Sequence, residues 1–385
     1  MTATTTTTIH ATSSGTIDRA LELIDEWIGP QGVTGAGAAV WRGGQIVAER
    51  YAGEARPGVP VNDDTLFALA SVTKPVTATV AMTLVERGLV SLDEPVNRLV
   101  PEFAAGPDRE SENVDRTLEN LRRTVTLRQL LAHTSGLPED AGRRDSRYAD
   151  QPPLPAVMEQ LARLPLCSGP GTELRYSNAG FAVVARVVEV VTGQLFWQAA
   201  RELLLDRANF DGLVAQPGPD LADRLAVVAD VSHPGTPLET YNGDYWRDLA
   251  IPWGGMFGTP RAVARFAGSF LGGEPRLLSA ASSVLMTQDQ AEGVPGGVES
   301  AKVRWPVAAW GLGWEVKGNK RRHWTGDLTS ARTFCHWGHA GTLVWADPDH
   351  DVALAVFGNR TVAHLWPLVP PRWARLSNAV IAAAS

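Results

Sequence analysis

Ile17, Leu21, Ile24 and Ile28 recur at helical spacing with polar residues between them, so residues 17–28 read as an amphipathic helix. Two apolar runs follow at about 36–41 and 45–52, separated by Arg42-Gly43-Gly44-Gln45, whose paired glycines mark a tight hairpin turn. From Val72 to about Arg87 the pattern is helical again, and it stops at Gly88, a residue that tolerates the left-handed conformation of a helix C-terminus. Pro75 then falls in the first turn, where its missing amide proton costs least, and Ser71 stands at the positive amino end. Residues 104–123 are charged and poor in large apolar side chains, which reads as a surface insertion. A helix over 126–132 leads into His133-Thr134-Ser135-Gly136-Leu137-Pro138, and the proline-rich stretch 138–155 reads as a long loop able to cover a site. Helices are expected near 156–163 and 179–192. After about residue 250 short apolar runs alternate with glycines, and 307–316 and 342–357 among them read as strands.

Strands at both ends around a helical middle indicate an α+β protein whose terminal segments share one sheet, with the helical part inserted. The expected division is a disordered tail at 1–16, a sheet domain from 17–95 and 250–385, and a mainly helical domain at 96–249 carrying loops over the cleft. A hydrophobic content of 44% in 385 residues supports a large core. The net charge of −7, spread rather than blocked, offers no basic patch for nucleic acid and no polybasic membrane contact. Residues 1–16 lack the charged and apolar regions of a signal peptide, and no apolar run reaches transmembrane length, so a cytoplasmic location is expected. Cys167 and Cys335 are far apart and fit no metal or redox spacing; two reduced, buried thiols are expected, with no metal and no cofactor.

The chain holds four lysines against thirty-one arginines, and one of the four, Lys74, stands three residues after Ser71 in Ala-Ser-Val-Thr-Lys-Pro. An arginine keeps its proton in a protein, whereas a desolvated lysine can act as a base, and a serine one helical turn away is what such a base would activate. The pair would arise by chance roughly 0.2 times in a chain of this composition. Tyr176-Ser177-Asn178 stands between a Pro-Gly turn at 170–171 and an apolar helix, and Trp337-Gly338-His339-Ala340-Gly341-Thr342 opens an apolar run whose small residues would let a strand approach a ligand. Each has a plainer role available. Ser71 and Asn178 could cap helices, Tyr176 could pack on a turn, and His339 could make a structural hydrogen bond. His133 reads as structural, at a helix end that favours a cation, and His323 and His336 read as scaffold or surface.

With these motifs in this order, joined by His133-Thr134-Ser135-Gly136-Leu137 and Gly254-Gly255, the chain over roughly residues 17–380 resembles serine hydrolases of the beta-lactamase and penicillin-recognising fold. The resemblance is nearest to class C beta-lactamases and the related family VIII carboxylesterases and transesterases. It implies a mostly antiparallel sheet flanked by helices, with the helical domain walling the cleft. It makes Ser71 the nucleophile, divides the proton transfers between Lys74 and Tyr176, and gives Asn178 the task of orienting Lys74 and the acyl side of the substrate. The backbone amides of Ser71 and Thr342 would form the oxyanion hole, and His339, Gly341 and Trp253 would contact substrate, Trp253 as a wall of the acyl pocket. Tyr148 and Tyr245 are weaker candidates for the same wall, whose shape loops 139–155 and 233–253 would set.

Beta-lactamases and transpeptidases of this fold usually carry Lys-Thr-Gly where this chain has His339-Ala340-Gly341. An imidazole holds a substrate carboxylate less firmly than a permanent cation, which turns the expectation from beta-lactams toward esters. The expected activity is hydrolysis, through an acyl-enzyme, of a small-molecule carboxylic ester with an apolar acyl or alcohol part. Acyl transfer to another acceptor, weak beta-lactam or D-amide cleavage, and a silent ligand-binding relative stay open.

Overall fold

The computed structural model describes residues 13–107, 114–140, 148–208, 210–363 and 366–385. The tail expected at 1–16 lies outside these as far as residue 12, as do 108–113 of the charged insertion and 141–147 of the long loop.

Seven strands form the main sheet: β1 (Gly35–Arg42), β2 (Gln45–Arg56), β3 (Val59–Pro60), β4 (Glu315–Val316), β5 (Phe334–Gly338), β6 (Thr342–Asp347) and β7 (Val352–Gly358). Their order is β4-β5-β6-β7-β1-β2-β3, and every neighbouring pair is antiparallel. The two ends of the chain therefore meet in the middle of one sheet, where Ala36 to Arg42 pair with Gly358 to Val352. Alternation along the strands divides the core. Ala36, Ala38, Val40, Leu343, Trp345, Leu354 and Val356 pack against the first helix, Ser13–Leu21, and the last, Val369–Ala384. Ala39, Trp41, Val344, Ala355 and Phe357 face the opposite way, onto the Pro260–Gly268 helix. Gly268 makes that packing possible: a Cβ there would lie 2.5 Å from the Trp41 ring.

Between the halves of the sheet, the Asn178–Thr192 helix is buried against Thr73–Glu86, Leu127–Leu131 and Leu154–Ala162. Ser177 caps it, its hydroxyl accepting from the Gly180 amide at 2.8 Å, and Gly193 closes it at φ +69. Two small sheets tie this region to the residues after 250. Leu213–Ala215 and Phe67–Ala68 flank Met256–Gly258, while Leu174–Arg175 pairs with Gly296–Val298, itself paired with Val303–Trp305.

Several local expectations change. The α-helix at the amino end gives way after Leu21 to a 3-10 helix over Glu22–Trp27, so the stripe does not run to Ile28 as one helix. Of 307–316 only Glu315–Val316 is strand; the tryptophans there are core residues held in loops. The charged stretch is not wholly surface either. Arg122 is buried, stacked 4.7 Å from the Phe103 ring centroid and bonded to Glu119 and to the carbonyls of Ala162 and Leu164. Cys335 is buried as expected, whereas Cys167 is exposed, because it follows the end of a short helix in an open turn.

Candidate active site

Ser71 sits in a single 3-10 turn, Ala70–Val72, that runs directly into the Thr73–Glu86 helix. Ala70, just before it, has φ +46, a conformation that costs a non-glycine residue energy and is held by its surroundings. Leu69 donates its amide to the Met256 carbonyl at 2.9 Å. Lys74, fully buried in the first turn of the helix, places Nζ 3.0 Å from Ser71 Oγ and 2.9 Å from the Trp253 carbonyl. The loop that supplies this carbonyl is fastened along the helix: Thr77 Oγ1 donates to the Pro252 carbonyl, and the Met256 amide donates to Thr73 Oγ1 at 3.2 Å. Gly255 lets the loop fold this tightly, since a Cβ would lie 2.4 Å from the Ala250 carbonyl carbon. Ser71 is thus no helix cap; its hydroxyl faces the lysine.

The Tyr176 ring lies beneath that amine, with Nζ 4.8 Å from its centroid. Successive backbone amides fix this segment: Arg175 donates to the His133 carbonyl, Tyr176 to Gly297, Ser177 to His133 Nδ1, and Asn178 to Glu139. Because Ser177 does the capping, the Asn178 side chain is left to line the cleft beside Ser71. His133 stacks on Tyr176 at 4.5 Å and His336 lies 6.0 Å away on another side. The reason given for His133 from sequence, a cation at a helix end, is wrong. Burial, then the charge of Lys74, holds its pKa well below the ordinary value, so it is neutral and its Nδ1 accepts a hydrogen bond. Burial and Lys74 likewise push His336 down to about 3.

These neutral histidines make the fold sensitive to acid. Below about pH 6.5 the unfolded chain takes up protons that the folded one refuses, so stability falls as pH drops through the window from 6.5 toward 3. His336 alone is expected to cost about 2 kcal/mol between pH 7 and pH 5. Urea unfolding at pH 7 and pH 5 measures this: in His336→Asn the acid loss should shrink by about that amount, and an undiminished loss would remove His336 as its source.

The third segment closes the site from the sheet. Gly338 ends β5 against the nucleophile turn, where a Cβ would lie 2.3 Å from the Leu69 carbonyl oxygen; its smallness serves this internal contact rather than a ligand. Thr342, opening β6, donates its hydroxyl to the same Leu69 carbonyl at 2.9 Å, which sets the start of β6 beside Ser71. Gly341 turns the chain at φ +94, where a Cβ would lie 2.5 Å from the Arg360 carbonyl oxygen. His339 is half-buried, with Nδ1 3.3 Å from the Tyr241 hydroxyl.

The cleft forks at Ser71, Asp140, Asn178 and His339, which line both arms. One arm is an aromatic chamber of about 100 Å³ walled by Tyr148, Tyr241, Tyr245, Trp246, Trp253 and Ile251. Its loops grip each other, Tyr148 edge-on to Trp246 at 5.6 Å and the Tyr245 hydroxyl donating to the Pro152 carbonyl at 2.8 Å. The other, about 1050 Å³ and more open, is lined by Tyr176, Arg175, Lys302, Trp337 and Trp366. Sequence reasoning found Trp253 for its side chain and missed its carbonyl; it also missed Tyr241, Trp246 and Lys302.

Among the described residues, Glu315, His323 and Cys335 bring one potential metal-binding atom each to within 4.8 Å of one another. Lys320 fills the part a cation would play: its Nζ lies 2.8 Å from Glu315 Oε1, and burial beside Glu315 raises the Cys335 pKa, keeping the thiol protonated. This cluster is a closed ion-pair network, and none of the four lines the cleft.

A family model described as beta-lactamase matches residues 20–371. This chain belongs to the beta-lactamase family. Among its relatives, penicillin-binding protein 4 of Amycolatopsis lactamdurans is 33% identical over 273 residues, 67% of this chain and 64% of that protein. Esterase EstB of Burkholderia gladioli is 36% identical over 208 residues, 51% of this chain and 48% of the esterase. The chain thus spans about half to two thirds of the length of these relatives. A solved family VIII carboxylesterase superposes with a TM-score of 0.76 over 98% of this chain and 99% of its own, at 22% identity, a likeness of fold. No single helix among the described residues is long and apolar enough to cross a membrane.

Proposed function

We propose that this beta-lactamase-family protein is a serine hydrolase that cleaves carboxylic esters with an apolar acyl part through an acyl-enzyme on Ser71. The observation that carries the reading is the 3.0 Å contact between Lys74 Nζ and Ser71 Oγ in a buried site, with Tyr176 directly beneath the amine. The coupled Lys74–Tyr176 pair takes the hydroxyl proton as Ser71 Oγ attacks the ester carbonyl, forming the bond to the acyl carbon. The amides of Ser71 and Thr342 hold the developing oxyanion, where one well-placed donor is worth about 3–4 kcal/mol. The bond to the alcohol oxygen then breaks, and the proton passes by way of Tyr176 to the leaving alkoxide. Water attacks the acyl-enzyme by the reverse route, giving the acid and free Ser71.

The fork in the cleft orients the substrate. The proton donor must touch the departing oxygen, and Tyr176 lines the open arm and not the aromatic chamber. The alcohol therefore leaves through the open arm, and the acyl group stays among Tyr148, Tyr245, Trp246 and Trp253. Likeness to an esterase supports this substrate class, and likeness to a penicillin-binding protein keeps amide substrates in view. Acyl transfer is the second reading, favoured by an open arm of about 1050 Å³ that has room for an acceptor larger than water. Two free cysteines, one of them exposed, suit a reducing compartment such as the cytoplasm.

A panel of p-nitrophenyl esters beside the beta-lactam nitrocefin tests the proposal. Ester turnover is expected to exceed nitrocefin turnover by at least about 100-fold, a transition-state difference of about 3 kcal/mol. Equal rates on both would return the protein to the beta-lactamases proper. One stoichiometric burst that is released only on adding an alcohol would make it a transferase.

A further inference from the structure

Three of the four lysines are buried and engaged: Lys74 with Ser71, Lys317 with Thr329, and Lys320 with Glu315 and the Ala309 carbonyl. The fourth, Lys302, is exposed and lines the open arm of the active-site cleft. It stands at φ +54 in the turn between Gly296–Val298 and Val303–Trp305, its amide bonded to the Glu299 carbonyl at 2.9 Å. In a chain that otherwise uses arginine for its surface cations, an amine at the mouth of the cleft is an exception.

The neighbouring charges show what the exception achieves. Arg175 is held by Glu173 and Glu299, and Arg304 by Glu173. Glu139, which also lines the arm, is occupied by the Ser300 amide at 3.0 Å and hydroxyl at 2.6 Å. A guanidinium at 302 would offer this carboxylate-rich rim a planar fork, which carboxylates bind in two-pronged fashion. The ammonium of Lys302 has no carboxylate within ion-pair distance among the described residues, and its flexible stem can swing over the arm. Trp337 and Trp366 line the same arm with ring centroids 4.8 Å apart and give it an apolar wall.

We propose that Lys302 selects substrates whose alcohol part carries a carboxylate beside an apolar ring or chain. The inference rests on the assignment of the open arm to the leaving group. The experiment compares kcat/KM for meta-carboxyphenyl butyrate with that for meta-carbamoylphenyl butyrate, two esters alike in size and acyl group but not in charge. In Lys302→Met the anionic-to-neutral ratio should fall about three- to five-fold relative to wild type, the range of a single exposed ion pair. Added salt should compress the wild-type ratio toward that of the variant. Arg304→Met removes the same charge from a side chain outside the arm and should leave the ratio unchanged. A ratio unaltered in Lys302→Met, or lowered equally in Arg304→Met, overturns the proposal while leaving ester hydrolysis intact. If neither ester is turned over, the hydrolase reading falls, and calorimetric binding of meta-hydroxybenzoate decides about Lys302. Weaker binding to Lys302→Met than to wild type upholds its role, and equal binding overturns it.

Discussion

Ser71→Ala is expected to lower p-nitrophenyl ester turnover by at least about 10⁴-fold, the scale of losing a nucleophile that works as a unit with its base. The change removes one oxygen from a half-buried side chain whose partner Lys74 keeps its bond to the Trp253 carbonyl, so thermal unfolding should move little. Intact-mass measurement after treatment with an ester-like phosphonate gives a second readout: wild type gains one adduct on Ser71, and the variant gains none. An adduct on the variant, or residual turnover above about one percent, would mean that another group attacks the ester.

The second large effect concerns Lys74. Lys74→Met should reduce kcat by about 10²–10⁴-fold, the usual contribution of a positioned acid or base. Methionine is close to the lysine stem in size and sits well against the Tyr176 and Phe181 rings, so the fold survives. Lys74→Arg should not rescue activity, because a guanidinium cannot release a proton and is too large for a fully buried place. Recovery of more than about a tenth of wild-type kcat in that variant would show that only a positive charge is needed. Lys74→Met carries a further signature. The lysine's charge helps to depress His133 and His336, so without it both imidazoles accept protons more readily and the acid loss of stability becomes shallower.

Much of this site could be read from spacing. Ser71 and Lys74 lie one turn apart on a helix whose start Pro75 and whose end Gly88 announce, and a three-residue offset on a helix needs no tertiary knowledge to become a contact. Tyr176 and Asn178 were legible as a motif, but their freedom to face the cleft depends on Ser177 taking the cap, a choice among neighbouring polar residues that sequence leaves open. The Trp253 carbonyl could not be read at all. A backbone acceptor has no residue-type signature, and only the glycine pair after it hinted at a tight loop. His133 failed for another reason. Its place after a helix pointed to a cation, while the depth of burial that neutralises it comes from segments distant in sequence. Residues 307–316 looked like strand because an apolar run in a loop packed by tryptophans has the same texture as a buried strand.

The placement of β1 at the centre of the sheet bears on how the chain comes to be folded. Its hairpin partner β2 is made at once, but its other neighbour, β7, stands at 352–358. Until that segment emerges from the ribosome, one side of β1 presents unpaired amides and carbonyls, an edge to which foreign strands can add. β5 and β6, which bring Gly338 and Thr342 against the Ser71 turn, also come late. The helix bearing Ser71 and Lys74 therefore waits for nearly the whole chain before its site closes, and shortening the C-terminal strands should cost soluble yield as well as activity.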